Sequence, residues 1–198
     1  PPGSGKSMLA KSFATILPRL SEKEILEVSK IYSVSGLLSK EKPLMLSRPV
    51  RNPHHTTSSV AIVGGGTHPK PGEITLAHRG VLFFDELPEY RRDVLEALRQ
   101  PLEDKKITVS RAQGTLVFPA NFIFIGACNP CPCGYLNDEK KNCICSPFQI
   151  IRYRKKLSGP LLDRIDIHIE VPRLTYDKLT KEVVAEKSEI IRKRIEKS

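Results

Sequence analysis

The chain has 198 residues, 39% of them hydrophobic, enough for the core of one medium domain or of a domain and a fragment. Its 32 Lys and Arg against 22 Asp and Glu give a formal charge of +10, which favours a polyanionic partner, although a solvated basic face produces the same sum. No apolar run approaches the roughly 20 residues that span a bilayer, and no basic-then-apolar leader opens the chain, so cytoplasmic residence is the default expectation and the five cysteines are not expected to form a disulfide framework.

The first residues, PPGSGKSMLAKSF, contain all but the leading glycine of the pattern Gly, four residues, Gly-Lys-Ser/Thr. In that pattern glycines let successive backbone N–H groups face a phosphate, the lysine reaches the β/γ-phosphates and the serine hydroxyl ligates Mg²⁺. Gly3, Ser4, Gly5, Lys6 and Ser7 are therefore candidate ATP-binding residues, with a glycine-rich turn before an ordinary helix as the alternative. Leu9, Phe13 and Ile16 fall at helical spacing, and Pro18 ends the run. Ser21 to Glu24 reads as a capping box for a second helix through Ile25, Val28 and Ile31, followed by a β-like stretch over Tyr32–Val34. From Pro43 to Gly72 the chain is rich in Pro, Gly, Ser, Thr and His, too long and irregular for a simple connection. His54 and His55 are adjacent and point apart on most backbones, which favours a solvated loop tip over a metal site.

Val81 to Phe84 is a continuous apolar run, as in a strand buried on both faces of a parallel sheet, and it ends in Asp85-Glu86. A helix with Val94, Leu98 and Leu102 on one face follows, then a hairpin turning at Arg111–Gly114 and a second fully buried strand, Phe122–Gly126. Cys128 at its end is assigned to the core, and Asn129 follows. Ser146-Pro147 opens a basic helix through Arg152, Arg154, Lys155 and Lys156. Beyond a short helical turn, Ile165, Ile167, Ile169 and Val171 alternate as in a strand, and a helix is expected from Tyr176 to the end. Strands alternating with helices predict an α/β fold with a parallel sheet, its ligand site at the carboxyl ends of the strands.

Both acids and Asn129 sit at such ends. Asp85 is where a P-loop ATPase needs a carboxylate for Mg²⁺, Glu86 can polarise the attacking water, and Asn129 can orient that water or the γ-phosphate if its strand neighbours the first. A strand that simply ends in two acids is the plainer alternative.

GVLFFDELPE, FIFIGACNPCPCG and SGPLLDRIDIHIEVP together resemble the AAA+ ATPases of the magnesium-chelatase I-subunit group, within it the ComM/YifB competence-protein branch. RNPHHTTSSVAIVGGG resembles that group's insertion in the second helix, and ITVSRAQGTLVFP its hairpin before the sensor strand. The resemblance implies a P-loop NTPase (AAA+) parallel sheet flanked by helices. In it Lys6 and Ser7 act on phosphate and Mg²⁺, Asp85 and Glu86 are the Walker B pair, Asn129 is the first sensor, and Arg164 is an arginine finger acting in a neighbouring subunit. The alternative for Arg164 is a surface ion pair with Asp163 or Asp166. It further implies an ATPase core over 1–174 that begins inside its own P-loop and lacks the first strand, the start of a helical lid over 175–198, a hexameric ring in the full-length protein, and weak or absent ATP binding by this stretch alone.

Cys131 and Cys133, then Cys143 and Cys145, form two Cys-x-Cys pairs that could close a tetrahedral zinc site, the alternative being four reduced thiols in a mobile loop. Arg111 at the hairpin tip could grip a DNA backbone or pair with Glu103 or Asp104. Three functions are thus in competition: an ATP-driven ring motor acting on single-stranded or branched DNA, a chelatase-type motor subunit remodelling a partner protein, and a zinc-stabilised nucleic-acid-binding module.

Overall fold

A computed structural model describes residues 1–66, 70–111, 114–138, 140–172 and 186–197. Helices α1 (Lys6–Ile16) and α2 (Glu22–Val34) open the chain. The capping box of α2 is formed: the Ser21 side chain accepts from the Glu24 N–H, and the Glu24 carboxylate accepts from the Ser21 N–H. Tyr32–Val34 is the last turn of this helix rather than a β-like stretch, because Val28, Ile31 and Tyr32 pack together against Leu76 and the Tyr32 hydroxyl donates to the Leu76 carbonyl at 3.1 Å.

The segment from Pro43 to Gly72 is not a structureless connection. It carries strand β1 (Val50–Arg51), helix α3 (Ser59–Val63) and the two-residue strands β2 (Gly64–Gly65) and β3 (Lys70–Pro71), which pair antiparallel. Helix α4 (Glu73–Leu76) follows, and Arg51 fixes it to β1 through a two-pronged contact with Glu73, 2.6 and 2.7 Å.

Strand β4 (Val81–Phe84) is the centre of a parallel sheet of order β1-β4-β7, where β7 is Ile123–Gly126. All four β4 side chains are fully buried. Alternation sends Phe83 to a cluster with Ala10 of α1, Ala127 and Ile125, and sends Leu82 and Phe84 into the larger core with Ile62, Ile74, Val94, Leu98 and Leu161. Phe84 stacks on Tyr90 at 4.1 Å between ring centroids. In α1 the buried contact is Ala10, whereas Leu9 and Phe13 are exposed, contrary to the face expected of them.

Helices α5 (Arg92–Ala97) and α6 (Arg99–Asp104) carry Val94, Leu98 and Leu102 to the core as expected, and the hairpin β5 (Lys106–Arg111) to β6 (Gly114–Pro119) forms in full register. Strand β7 is not buried on both faces. It is an edge of the sheet among the described residues, its Ile123 is 41% exposed, and Cys128 just beyond it is exposed rather than core. Helix α7 (Pro147–Arg154) opens with a second capping box, Ser146 with Gln149, and α8 (Gly159–Leu162) inserts Leu161 into the core. Ile165 to Val171 form no strand: no described chain offers them a ladder, and Ile167 and Ile169 are 73% and 79% exposed. The first part of the helix expected from Tyr176, residues 176–185, lies outside the described residues, whose last element is α9 (Ser188–Ile195), packed on α1 through Thr15 and Ser188. No described helix is long and apolar enough to cross a membrane.

Candidate functional site

Gly3 and Gly5 both have positive φ, 74° and 83°, which turns the loop so that α1 begins at Lys6 with its first N–H groups uncommitted. A β-carbon side chain would strain this turn at either position. The ammonium of Lys6 is held between the Pro1 carbonyl at 2.8 Å and Oδ1 of Asn129 at 3.0 Å. The Ser7 hydroxyl donates to Oδ2 of Asp85 at 2.5 Å. The other Asp85 oxygen accepts from the Glu86 N–H at 3.0 Å, and the Ser4 hydroxyl donates to the Pro1 carbonyl at 2.9 Å. The P-loop, the acids at the end of β4 and the asparagine beyond β7 thus meet at one end of the sheet, because β4 and β7 are neighbours in parallel register.

Glu86 has φ 51° and ψ 46°, the left-handed region, which an unbranched acid adopts only when its surroundings impose it, at about 1–3 kcal/mol. That backbone twist leaves the carboxylate exposed at the mouth of the site. His54 is exposed and bonded to Thr56 at 2.8 Å, as at a solvated loop tip, but the two histidines do not point apart: their ring centroids lie 4.1 Å from one another. His55 sits 3.6 Å from the Glu86 carboxylate, a contact set by the path of the segment before α3 and carrying no local sequence signal.

Ser7 and Asp85 offer a hydroxyl and a carboxylate oxygen side by side, the hard oxygen donors that Mg²⁺ prefers, and the positive-φ loop with Lys6 suits a polyphosphate. The residues present fit Mg·ATP. Arg164 lies apart from this group. It pairs with Glu103, Nε at 3.2 Å and a closer contact from its terminal nitrogen, and donates to the Pro160 carbonyl at 2.6 Å. The surface ion pair that stood as the alternative for Arg164 is thus present, with Glu103 rather than Asp163 or Asp166 as its partner. The Arg111 backbone closes the hairpin opposite Gly114, while its side chain and Gln113 lie outside the described residues.

The family model for the magnesium chelatase subunit ChlI matches residues 1–179. The chain belongs to this family. Its members are AAA+ proteins, in keeping with the parallel α/β sheet and P-loop. Competence protein ComM of Haemophilus influenzae is similar, 49% identical over 181 residues, covering 90% of this chain and 35% of that protein. The uncharacterized protein YifB of Escherichia coli K12 is 45% identical over 196 residues, covering 98% of this chain and 38% of that protein. The chain thus spans little more than a third of the length of these relatives. Among solved structures, NtrX from Brucella abortus in complex with ADP superposes with a TM-score of 0.44 at 17% identity, covering 63% of this chain and 25% of that one.

Beside the P-loop of this ChlI-family chain the four cysteines of the loop come together. Their sulfurs all lie within 4.8 Å of one another, with Cys131–Cys133 at 3.4 Å, Cys131–Cys143 at 3.7 Å and Cys133–Cys143 at 3.6 Å. The Cys133 N–H donates to the Cys145 sulfur at 3.4 Å. Backbone N–H groups of Tyr135 and then Ile144 pull the Cys133 thiol down to about 6 against the opposing effect of burial. The loop reaches the P-loop directly: a β-carbon on Gly134 would lie 2.6 Å from Cγ and Cδ of Pro2 and 3.6 Å from Cγ of Asn129. Tyr153 of α7 is buried, which pushes its hydroxyl up to about 12. The Cys pairs are legible in the sequence, but the seat of Gly134 on Pro2 is not, because it depends on the loop folding back.

Proposed function

We propose that the chain is the ATP-hydrolysing core of an AAA+ ring motor that acts on DNA, single-stranded or branched, in recombination or transformation. The observation that carries the ATPase part is the junction of Lys6 with Asn129 and of Ser7 with Asp85, 3.0 and 2.5 Å. Lys6 and the loop N–H groups would hold the phosphates, and Ser7 and Asp85 would hold Mg²⁺. Bound Mg²⁺ neutralises charge on the phosphates as it develops. Glu86 takes the proton of the attacking water at its carboxylate, Asn129 orients that water, and Arg164 acts in the site of the next subunit, which requires the ring. An exposed pair with Glu103 contributes little and is readily exchanged for a stronger anion. Zinc is the second metal of this reading, held by Cys131, Cys133, Cys143 and Cys145.

The DNA part is supported by the charge of +10, by the presence of the β5–β6 hairpin and by the likeness to a competence protein. The family's own name favours a second reading, a chelatase-type motor that remodels a partner protein. ATP turnover of the full-length protein with and without branched DNA separates them. Stimulation by DNA, with Arg111→Ala weakening DNA binding and flattening its salt dependence by about 0.9 log units per lost duplex-phosphate contact per decade of salt, is the expected result. No response to DNA, or an unchanged slope in Arg111→Ala, contradicts the DNA reading or the role of the hairpin in turn.

A further inference from the structure

The loop from Cys128 to Ser146 contains no helix or strand among its described residues, yet Cys131 and Gly134 are hidden from solvent. Ordering so many residues costs conformational entropy that a few buried side chains do not offset. The four thiols stand where an offset can come from. Zinc–sulfur bonds of about 2.3 Å in a tetrahedron place sulfurs about 3.8 Å apart, close to the 3.4–3.7 Å spacings of Cys131, Cys133 and Cys143. Four thiolates with no fifth donor make the closed, structural type of site, which fills the coordination sphere and leaves no position for a substrate.

The placement of this cluster says what it does. Its first pair begins two residues after Asn129, and its second pair ends one residue before the cap of α7. Closing it joins the end of β7 to the start of α7. The turn between the pairs presses Gly134 on Pro2, and Asn129 accepts from Lys6. Asn129 is therefore fixed from the loop side by the turn at Gly134 and from the P-loop by Lys6.

We propose that Cys131, Cys133, Cys143 and Cys145 bind one zinc ion whose role is to position Asn129 at the nucleotide site, so that ATP turnover depends on a metal that never touches phosphate. The turnover arm rests on the ATPase reading above, and the metal and exchange arms do not. In the full-length protein, zinc content, amide hydrogen exchange over 127–135 and ATP turnover are measured for wild type, Cys133→Ser and Cys128→Ser. Wild type and Cys128→Ser should carry about one zinc per chain, and Cys133→Ser should lose it, exchange faster over 127–135 and turn over about tenfold to a hundredfold more slowly. In an Asn129→Ala background the same cysteine change should cost less than about twofold, because the positioned group is already gone. Stripping wild type with a chelator and restoring zinc should reproduce and reverse the loss without any mutation. Protein without metal, protein that carries iron instead, additive losses in the double variant, or zinc-free protein with unchanged exchange and turnover would each overturn the proposal. If zinc-loaded wild type shows no turnover at all, the ATPase reading fails, and unchanged exchange in Cys133→Ser would still overturn the clasp by itself.

Discussion

Replacing Gly134 by alanine tests whether the cysteine loop and the P-loop act as one unit. The added methyl group would lie 2.6 Å from Cγ and Cδ of Pro2, whereas carbon atoms rest at about 3.5–4.0 Å, so loop and P-loop must separate by about 1 Å. Gly134 also has φ 81°, and an L side chain in the left-handed region costs a further ~1–2 kcal/mol. The backbone strain falls on stability. The displacement falls on catalysis, because a misplacement of about 1 Å in a catalytic arrangement costs on the order of 10²-fold, or about 2.7 kcal/mol of transition-state stabilisation. Gly134→Ala should therefore lower kcat/KM for ATP by about a hundredfold in the full-length protein and lower the melting temperature by several degrees. Gly159→Ala, where nothing lies within 4 Å of the new methyl, serves as the control and should change neither. A Gly134→Ala protein with kcat/KM within threefold of wild type would show that the Pro2 contact does not hold the nucleotide site.

Arg164→Ala should reduce turnover about 10³-fold or more while leaving nucleotide affinity intact, and mixing it with Lys6→Ala subunits should restore part of the activity, since each variant keeps what the other lacks; no recovery on mixing would place Arg164 outside the neighbouring site. His78 is buried, accepts from the Asn121 N–H at Nδ1 and faces Glu27 and Arg79, and burial holds its pKa below the usual value. Protonation is then favoured in the unfolded chain, so stability should be full above about pH 6.5 and decline as pH falls from there through the lower folded value. Denaturant midpoints between pH 7.5 and 5 check this, and a His78→Gln protein with the same slope as wild type would remove His78 from the account.

Local pattern made some of this molecule legible and not the rest. The run Val81–Phe84 reads as a strand buried on both faces because it is short, follows Gly80 and ends in two acids, and each of the four is fully buried. The P-loop serine and the strand-end acid declare themselves by residue type, and the parallel pairing of β4 with β7 then brings Asn129 to Lys6. Alternation at Ile165 to Val171 has the right period for a strand, but period cannot supply a neighbouring ladder, and the isoleucines at 167 and 169 stay in solvent. Conversely β1 is only two residues among prolines, too short for any period, and joins the sheet because Val81 N–H donates to the Pro49 carbonyl and Arg51 clamps Glu73. The contact of His55 with Glu86 and the seat of Gly134 on Pro2 are long-range and leave no trace in adjacent residues.

The most direct measurement of the central claim follows ATP binding and single-turnover hydrolysis separately in the full-length protein with Mg²⁺, for wild type, Lys6→Ala and Glu86→Gln. Lys6→Ala should lose binding, because on the proposed reading its ammonium would hold phosphate. Glu86→Gln should bind ATP as wild type does and hydrolyse it about 10²–10⁴-fold more slowly, because only the proton transfer from water is removed. Wild-type hydrolysis by Glu86→Gln, or wild-type ATP affinity in Lys6→Ala, would contradict the assignment of this site.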